Sequence, residues 1–270
     1  MRFGIVYCKK NIAGKNIVDQ FKKLVFAPQI PIIELNEEAI YSKNINKEKY
    51  PELRKVDFLF FASTHRSIKG KPSLCLHVAG NWKEAELGGR KGKVCPTSAF
   101  VMKYLFQKLN ENANKKKEII EKYNISMEAT HHGPLIDIPS CFIELGSNEE
   151  DWKDEIAAKV IAKTILSLEN YNKDISKGWI PTFAIGGTHY CPNFNKIQLN
   201  SNYAISHVIP EYGFPVTEKI ILEAEEKTKE QINEVLIDWK GCKGSEGRQE
   251  ILKNLEKVGL KVKRTNKVEK

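Results

Sequence analysis

The chain has few of the features that mark disulfide-stabilised, zinc-finger or membrane-spanning proteins. Its six cysteines are scattered and form no C-x-x-C pair, which argues against a disulfide framework and a cysteine-rich zinc module. No apolar run approaches the roughly 20 residues of a membrane span. The N-terminal sequence MRFGIVYCKK has too short an apolar segment for a signal peptide and instead predicts a first strand. We therefore expect a cytoplasmic protein that makes no membrane contact.

Motifs that would name a reaction are also missing. The sequence contains no H-E-x-x-H, Walker, G-x-S-x-G or G-x-G-x-x-G pattern. It has no arginine-rich stripe and no RNA-binding signature. Any function must therefore be inferred from how separate residues come together in the fold.

The composition is that of an ordinary globular protein. The chain has 270 residues, of which 41% are hydrophobic and 29% charged, enough to bury a large core without staples. Its formal net charge is +9. Two interpretations of this charge remain open. The lysines are either solvated residues on a stable surface, or they form a surface that contacts the backbone of a polyanion such as a nucleic acid.

Short β-branched and aromatic runs alternate with longer helical patterns along the whole chain. This alternation predicts a single domain over residues 1–270, with a three-layer α/β/α fold around a central mixed, largely parallel sheet. Residues 69–93 and 193–202 are predicted to be long functional loops. The predicted strands are 3–8, 56–63, 73–80, 125–130, 141–145, 182–187, 203–209 and 260–262.

Polar and glycine-rich segments follow several of these strands. They are residues 63–65, 130–133, 146–147 and 186–189. In open α/β sheets the ligand crevice lies outside the carboxyl ends of the strands. We therefore expect these segments to meet at one functional site.

The stretch EATHHGP (128–134) is the densest of these segments in reactive side chains. Strand alternation carried through it places His132 on the same face as Glu128 and points His131 the opposite way, with the apolar residues. Two adjacent strand histidines would then not chelate one metal. Taken alone, the pair is better explained as one buried structural histidine and one exposed histidine than as a functional pair.

Other residues shift the balance towards a functional site. Glu144 and Glu128 lie in apolar strands, where a carboxylate is costly unless it is paired or bound. His65 follows an apolar strand, His189 follows a glycine pair, and His77 lies within a strand facing either the crevice or solvent. Neutral imidazole together with carboxylate is a natural ligand set for zinc. These residues alone predict a metal-assisted or histidine-based hydrolase, while structural pairing with lysine, arginine or a helix end remains an alternative.

Five sequence blocks, in order, resemble the archaeal and plant type of D-aminoacyl-tRNA deacylase. They are THRSIKGKPSLCLHVAGN (64–81), GG (88–89), MEATHHGP (127–134), FIELGS (142–147) and AIGGTHYCP (184–192). The resemblance implies a monomer or weak dimer with a fold related to the phosphorylase and peptidyl-tRNA hydrolase group. It also implies a zinc requirement and hydrolysis of the ester that links a D-amino acid to tRNA. Cys75 and Leu76 depart from the family pattern, without an expected effect on chemistry.

The resemblance does not by itself assign residue roles, so we predict them from chemistry. The predicted catalytic residues are His132, Glu144, Glu128 and His65, with Glu128 as a proton relay or a partner of a ligand. The predicted zinc ligands are His131, His132, His189 and Glu144. The residues predicted to meet tRNA phosphates are Lys69, Lys71, Arg90, Lys91 and Lys93. Backbone N–H groups near Gly146 and Ser147, or near Gly186 and Gly187, are predicted to hold the oxyanion.

Two other functions remain open at this point. One is a small-molecule hydrolase or nucleoside phosphorylase-like enzyme on the same fold, which would be indifferent to the tRNA part of the substrate. The other is an RNA-binding module without catalysis, built on the basic surface. Turnover lost with binding retained, in a variant of His132 or Glu144, would separate the enzyme from the module.

Overall fold

A computed structural model describes residues 1–25 and 30–269 of the chain. Within these residues twelve strands and eight α-helices alternate. The strands are β1 (Phe3–Cys8), β2 (Ile32–Leu35), β3 (Phe58–Thr64), β4 (Ser73–His77), β5 (Gly80–Asn81), β6 (Lys93–Val94), β7 (Asn124–Met127), β8 (Ser140–Gly146), β9 (Ile180–Ile185), β10 (Tyr203–Ile209), β11 (Glu234–Ile237) and β12 (Lys261–Arg264). The helices are α1 (Ile12–Leu24), α2 (Ala99–Asn114), α3 (Lys117–Lys122), α4 (Glu149–Trp152), α5 (Glu155–Leu166), α6 (Pro192–Asn200), α7 (Glu218–Glu226) and α8 (Gly244–Lys257).

Helix starts are set by side chains that accept from the otherwise unpaired first N–H groups. The Asn11 side chain accepts from the N–H of Gly14 at 2.8 Å and so begins α1. Ser98 does the same for α2, through the N–H of Val101 at 3.2 Å. Such caps contribute about 1 kcal/mol each. Ser98 directly precedes the apolar periodic run of α2, which is a usual sequence signal of a helix start.

The larger sheet has six strands in the order β2-β1-β3-β8-β4-β7. The first four run parallel, whereas β4 is antiparallel to β8 and β7 is parallel to β4. Register aligns Glu144 of β8 with Ser63 on one side and with Cys75 on the other. This register brings the end of β3 beside the buried carboxylate of Glu144.

A second sheet has the order β10-β9-β11-β12, and all its strands are parallel. The α/β class with a mixed, largely parallel sheet is therefore confirmed. The sequence pattern does not reveal that strands after residue 179 form a sheet of their own. A short antiparallel pair of β5 and β6 makes a third, two-stranded sheet.

The strands of the larger sheet are long apolar runs because helices cover them. Helix α1 packs on β1 and β3 and against α5, while α2 packs on β10 and against α5. Phe61 of β3 stacks on Phe142 of β8 with ring centroids 4.7 Å apart. Each fully buried side chain of this size contributes roughly 1.5–3 kcal/mol of transfer free energy. A separate cluster of buried apolar residues lies beneath the second sheet.

Two local predictions are wrong. Residues 193–202 are largely helical rather than a loop, since Pro192 starts α6 and Phe194 and Ile197 bury one helical face. The predicted strand 125–130 ends at Met127. Beyond it the backbone bonds to the loop after β9 and to the second sheet, because Ala129 N–H donates to the His189 carbonyl at 2.8 Å and Thr130 N–H to that of Val208 in β10 at 3.1 Å.

Strands β2, β6 and β11 were not predicted, and the single-domain assignment of residues 1–270 stays a prediction. Within the described part of the chain, no helix combines the length and apolar character that crossing a bilayer requires.

Candidate active site

A cavity of about 410 Å³ lies where β3, β8 and the segment after β7 meet the loop after β9. Its walls bring together residues far apart in the sequence. They are Glu38, Ile40, Tyr41, Ser63, Thr64, His65, Arg66, Leu87, Glu128, His131, His132, Glu144 and His189. All six residues predicted to be catalytic or zinc-binding line this one cavity.

The buried carboxylate of Glu128 is at the centre of the histidines. His65 Nε2 lies 3.0 Å from its Oε1, and His189 Nε2 lies 3.8 Å from the same atom. His131 Nε2 lies 3.9 Å from Oε2. Despite these approaches, neither carboxylate oxygen accepts a hydrogen bond of good geometry from the described residues. A buried carboxylate left in this state is costly unless it binds a cation.

The charge state of Glu128 follows from its neighbours. Burial raises its pKa, but the contact with His65 and the positive charge of His77 and His65 outweigh burial and hold the pKa at about 2. Glu128 is therefore an anion across the neutral range, which is the form that binds a metal.

In each of five imidazoles at this site, Nδ1 faces an oxygen atom. The partners are the carbonyl of Ala129 for His131 at 2.8 Å, that of Gly133 for His132 at 2.6 Å, that of Val78 for His77 at 3.3 Å, the hydroxyl of Ser147 for His65 at 2.8 Å and that of Tyr212 for His189 at 2.9 Å. A carbonyl accepts only, so the first three imidazoles carry their proton on Nδ1 when neutral. This arrangement leaves Nε2 as the nitrogen with a free lone pair, and it is typical of histidines that bind metals.

The hydroxyl of Ser147 shows whether Nδ1 of His65 carries a proton. The Ser147 hydroxyl donates to the carbonyl of Lys71 at 2.5 Å. Its oxygen must then accept from His65, so His65 Nδ1 carries a proton. Burial lowers the pKa of His65, but Glu128 outweighs burial and raises it, so His65 faces Glu128 as a cationic partner.

Three of the remaining histidines, His131, His132 and His189, are held neutral. Burial lowers the pKa of His131 well below its ordinary value and that of His132 to about 3, and the neighbouring His77 adds to both effects. Burial also lowers the pKa of His189. Neutral imidazole is the form of histidine that binds zinc.

Four groups of three side chains have possible ligand atoms within 4.8 Å of one another. One group combines Glu128, His131 and His189, two of which are only partly buried, so it opens to the cavity. The other groups are His77 with His131 and His132, His77 with Glu128 and Glu144, and His65 with Cys75 and Glu128. The last places Cys75, which had no expected role, beside the site.

His77 is the main residue that sequence reasoning left undecided. It is buried, and among the residues that the structure describes its Nε2 has no hydrogen-bond partner. The same atom lies 3.8 Å from Glu144 Oε2. Its ring lies 4.1 Å from that of His131 between centroids, and it stacks on Phe142 at 5.1 Å. The sequence signal for His77 was a polar residue within an apolar strand. The direction in which its side chain points depends on β4 running antiparallel to β8, which the sequence pattern does not reveal.

The alternation argument for His131 and His132 is wrong. The strand ends before them, the two rings meet at 4.3 Å, and both line the cavity. His131, rather than His132, is the histidine within 3.9 Å of Glu128. His132 instead adopts a left-handed backbone with φ of 42°, a strained conformation that is common at functional sites.

Several predicted binding groups are engaged elsewhere. Lys93 pairs with the buried Glu223 at 2.5 Å. The N–H of Gly187 donates to Gly241 at 3.1 Å and that of Gly186 to Ile209 at 2.8 Å, so neither is available to an oxyanion. The N–H of Ser147 is likewise taken by Asp151 at 2.9 Å. These assignments are therefore corrected, because each group already has a partner.

Gly146 serves packing. A Cβ at this position would lie 2.1 Å from the His65 carbonyl oxygen, so only glycine lets β8 approach the His65 backbone so closely.

Four of the residues predicted to bind phosphate are exposed, which are Lys69, Lys71, Arg90 and Lys91. Lys91 pairs with Glu84 at the surface. None of these four lines the cavity, so phosphate binding by them stays a prediction.

Sequence reasoning gave no role to four other residues that line the cavity, which are Glu38, Ile40, Tyr41 and Arg66. Arg66 lies at the cavity with its guanidinium 5.3 Å from the centre of the Trp152 ring. Glu38, Ile40 and Tyr41 come from a short segment after β2. This segment carries no motif, and its approach to the site follows only from the pairing of β2 with β1.

The matching family model and the similar proteins name the same family. A family model described as D-aminoacyl-tRNA deacylase matches residues 52–263. The D-aminoacyl-tRNA deacylase of Pyrococcus abyssi is 37% identical over 232 residues, which are 85% of this chain and 82% of that protein. The one from Methanocaldococcus jannaschii is 31% identical over 263 residues, 93% of this chain and 95% of that protein. A crystal structure described as a conserved protein of unknown function has a TM-score of 0.89 and 29% identity, and covers 99% of this chain and 96% of that one.

Proposed function

The chain belongs to the D-aminoacyl-tRNA deacylase family, and from that premise we propose that the histidine-lined cavity hydrolyses the ester between a D-amino acid and tRNA with the help of a bound zinc ion. The enzyme is a D-aminoacyl-tRNA deacylase and therefore a hydrolase. The observation that carries the zinc proposal is the group of Glu128, His131 and His189, whose ligand atoms lie within 4.8 Å of one another at the open cavity.

The donor set fits a catalytic zinc ion. Two neutral histidines and one carboxylate leave a fourth position for water or substrate, as catalytic zinc sites do. Glu128 is ionised and lacks well-formed hydrogen bonds to the described residues. His131 is oriented through Nδ1 by a backbone carbonyl and His189 by a tyrosine hydroxyl. When bound, zinc supplies Lewis acidity that makes water nucleophilic near neutral pH and polarises the ester carbonyl.

The remaining residues have separate roles in this proposal. Glu144 lies at the cavity with Oε2 beyond hydrogen-bond distance of His77, at 3.8 Å, and accepts the proton of the attacking water. His65 holds Glu128 in place and is itself held by Ser147. His132 borders the same space and closes it against the turn that follows.

The other lining residues, Glu38, Ile40, Tyr41 and Arg66, receive the substrate. Glu38 is held by the Asn11 side chain at 3.1 Å and presents a carboxylate to the α-ammonium group of the amino acid. Arg66 attracts the phosphate groups at the acceptor end of tRNA. Ile40 and Tyr41 limit the room beside the α-carbon, which would reject an L side chain sterically.

The direct test is chirality. The protein should release D-tyrosine from D-tyrosyl-tRNA and leave L-tyrosyl-tRNA intact under the same conditions. The matched variant Glu144→Gln should bind the same tRNA with unchanged affinity and lose turnover. Equal hydrolysis of both enantiomers, or equal activity on a D-tyrosine ester without tRNA, would contradict the proposal and favour a small-molecule hydrolase.

A further inference from the structure

A second, larger cavity of about 640 Å³ lies away from the histidines, on the four-stranded parallel sheet. Its walls include Asp238 and Trp239, directly after β11, and Thr265, directly after β12. Helix α6, which follows β9, supplies Asn193 and Lys196. The cavity therefore begins at the carboxyl ends of these strands. It shares no lining residue with the histidine-lined cavity.

This position is the topological switch point of the second sheet. After β9 the chain adds β10 on one side, whereas β12 follows β11 on the other side. The order of connections thus reverses between β9 and β11. In open parallel α/β sheets, ligands bind in the crevice outside the strand ends at such a point. The histidine-lined cavity lies where the larger sheet meets the loop after β9, and it is a different space from this crevice.

The wall of the cavity is preorganised around an indole. The guanidinium of Arg264 lies 3.6 Å from the Trp239 ring centroid and that of Arg248 lies 5.2 Å away, which fixes the ring. The neighbouring carboxylate of Asp238 is buried and accepts from the Asn193 amide at 2.9 Å. The indole and the Asn193 amide, whose position the bond to Asp238 fixes, suit the planar, polar edge of a nucleobase.

The charges of the cavity suit the remaining part of a nucleotide. Lys196 and Lys240 both line it, and Lys240 is exposed. The two acidic residues in the lining are Asp238, whose carboxylate is occupied by Asn193, and Glu269 near the chain end. Two ammonium groups beside an aromatic wall can neutralise a phosphate while the base meets the wall.

We propose that this second cavity binds a nucleotide unit, with the base against Trp239 and Asn193 and the phosphate at Lys196 and Lys240. The nucleotide comes either from an RNA chain, for which the tRNA of the proposed reaction is the natural source, or from a free mononucleotide. Only the first source rests on the proposed function, since the chemistry of the cavity is independent of ester hydrolysis.

The experiment compares two double variants with equal charge change. Lys196→Ala with Lys240→Ala removes the proposed phosphate contacts. The control is Lys173→Ala with Lys177→Ala, because these exposed lysines precede β9 and so lie at the opposite end of the second sheet. Each protein is titrated with uncharged tRNA at several concentrations between about 50 and 200 mM salt, and separately with AMP while tryptophan fluorescence is followed.

If the nucleotide belongs to RNA, the cavity variant should weaken tRNA binding by about tenfold and lower the slope of log affinity against log salt by about 2, one unit for each phosphate-binding lysine. The control variant should change neither quantity. If the ligand is a free nucleotide, AMP should cause a saturable fluorescence change that the cavity variant and Trp239→Phe lose, while tRNA binding stays unchanged.

Equal effects of both double variants on tRNA, together with no saturable AMP response, would overturn the nucleotide site. This outcome is distinguishable from failure of the proposed reaction, because neither titration requires turnover. Conversely, absence of D-specific hydrolysis with the predicted AMP response would leave the cavity assignment intact.

Discussion

Nε2 of His131 lies 3.9 Å from Oε2 of Glu128, three residues earlier in the chain, because the strand ends at Met127 and the backbone turns towards the second sheet. The adjacent His132 forms part of a different ligand group, with His77 and His131. The two histidines of EATHHGP are therefore not equivalent.

Asparagine at each position separates their roles. His131→Asn should lose bound zinc and reduce kcat/KM by more than about a hundredfold, since even partners of metal ligands cost 10–100-fold. His132→Asn should keep its zinc and lose less activity, because asparagine tolerates the left-handed backbone at this position. Zinc content and kcat/KM of both purified variants measure this difference. Identical losses in the two variants would refute the distinction.

Ser147 is a positioning residue that acts through His65. Ser147→Ala removes the acceptor of the His65 Nδ1 proton, so His65 should hold Glu128 less well and kcat should fall by about tenfold. Thermal unfolding reports whether the fold is retained, and zinc content should stay near that of the parent. Ser147→Thr, which keeps the hydroxyl, should restore most of kcat. Threonine and alanine variants with the same kcat would contradict this role.

A variant of Glu38 tests whether this residue binds the amino acid part of the substrate. If its carboxylate meets the α-ammonium group, Glu38→Gln should raise KM for D-tyrosyl-tRNA by about tenfold, the value of one charge-assisted hydrogen bond, with little change in kcat. A substrate whose α-amino group is acetylated should bind parent and variant alike. A fall in kcat at unchanged KM would instead place Glu38 in the chemical step.

The buried Lys103 predicts a pH dependence of stability unrelated to the site. Its ammonium group donates to the carbonyl of Ser201 at 2.8 Å, and burial lowers its pKa from 10.5 to about 8. Between these values the unfolded chain holds a proton that the folded protein has released, so the free energy of unfolding rises with pH.

Urea unfolding of the parent and of Lys103→Met measures this contribution. The difference in unfolding free energy, parent minus variant, should increase by roughly 2 kcal/mol between about pH 8 and 10, at most about 1.4 kcal/mol for each pH unit. Below pH 8 it should be flat, because both states are then protonated. Parallel curves throughout would mean that Lys103 keeps its proton in the folded state.

Most strands could be predicted because they are long apolar runs covered by helices. The run 56–63, which precedes His65, and the run containing Glu144 became β3 and β8, and the strand 203–209 became β10 with the same bounds. Strand direction was not predictable in this way. The sequence pattern of an apolar strand is the same whether the strand is parallel or antiparallel to its neighbour. The orientation of the His77 side chain in β4 is therefore known only from the structure.

Most residues that line the candidate site could be predicted from the sequence, but their positions relative to one another could not. His65, Glu144 and Glu128 drew attention because polar groups at the ends of apolar strands need partners. The approach of His189 Nε2 to Glu128 at 3.8 Å depends on how the second sheet docks on the first. The sequence also did not predict which backbone N–H groups are free to bind an oxyanion. The N–H of Gly187, for example, donates to the carbonyl of Gly241, which lies far along the chain.

The most direct test is zinc removal and return, with Glu128→Gln as the matched variant. Chelator-treated parent protein should lose hydrolysis of D-tyrosyl-tRNA and regain it as zinc is restored, in proportion to the zinc bound. Glu128→Gln should remain folded, bind less zinc and stay inactive at the same zinc concentration. Full activity of parent protein shown by metal analysis to contain no metal would contradict the account, as would a fully active Glu128→Gln variant.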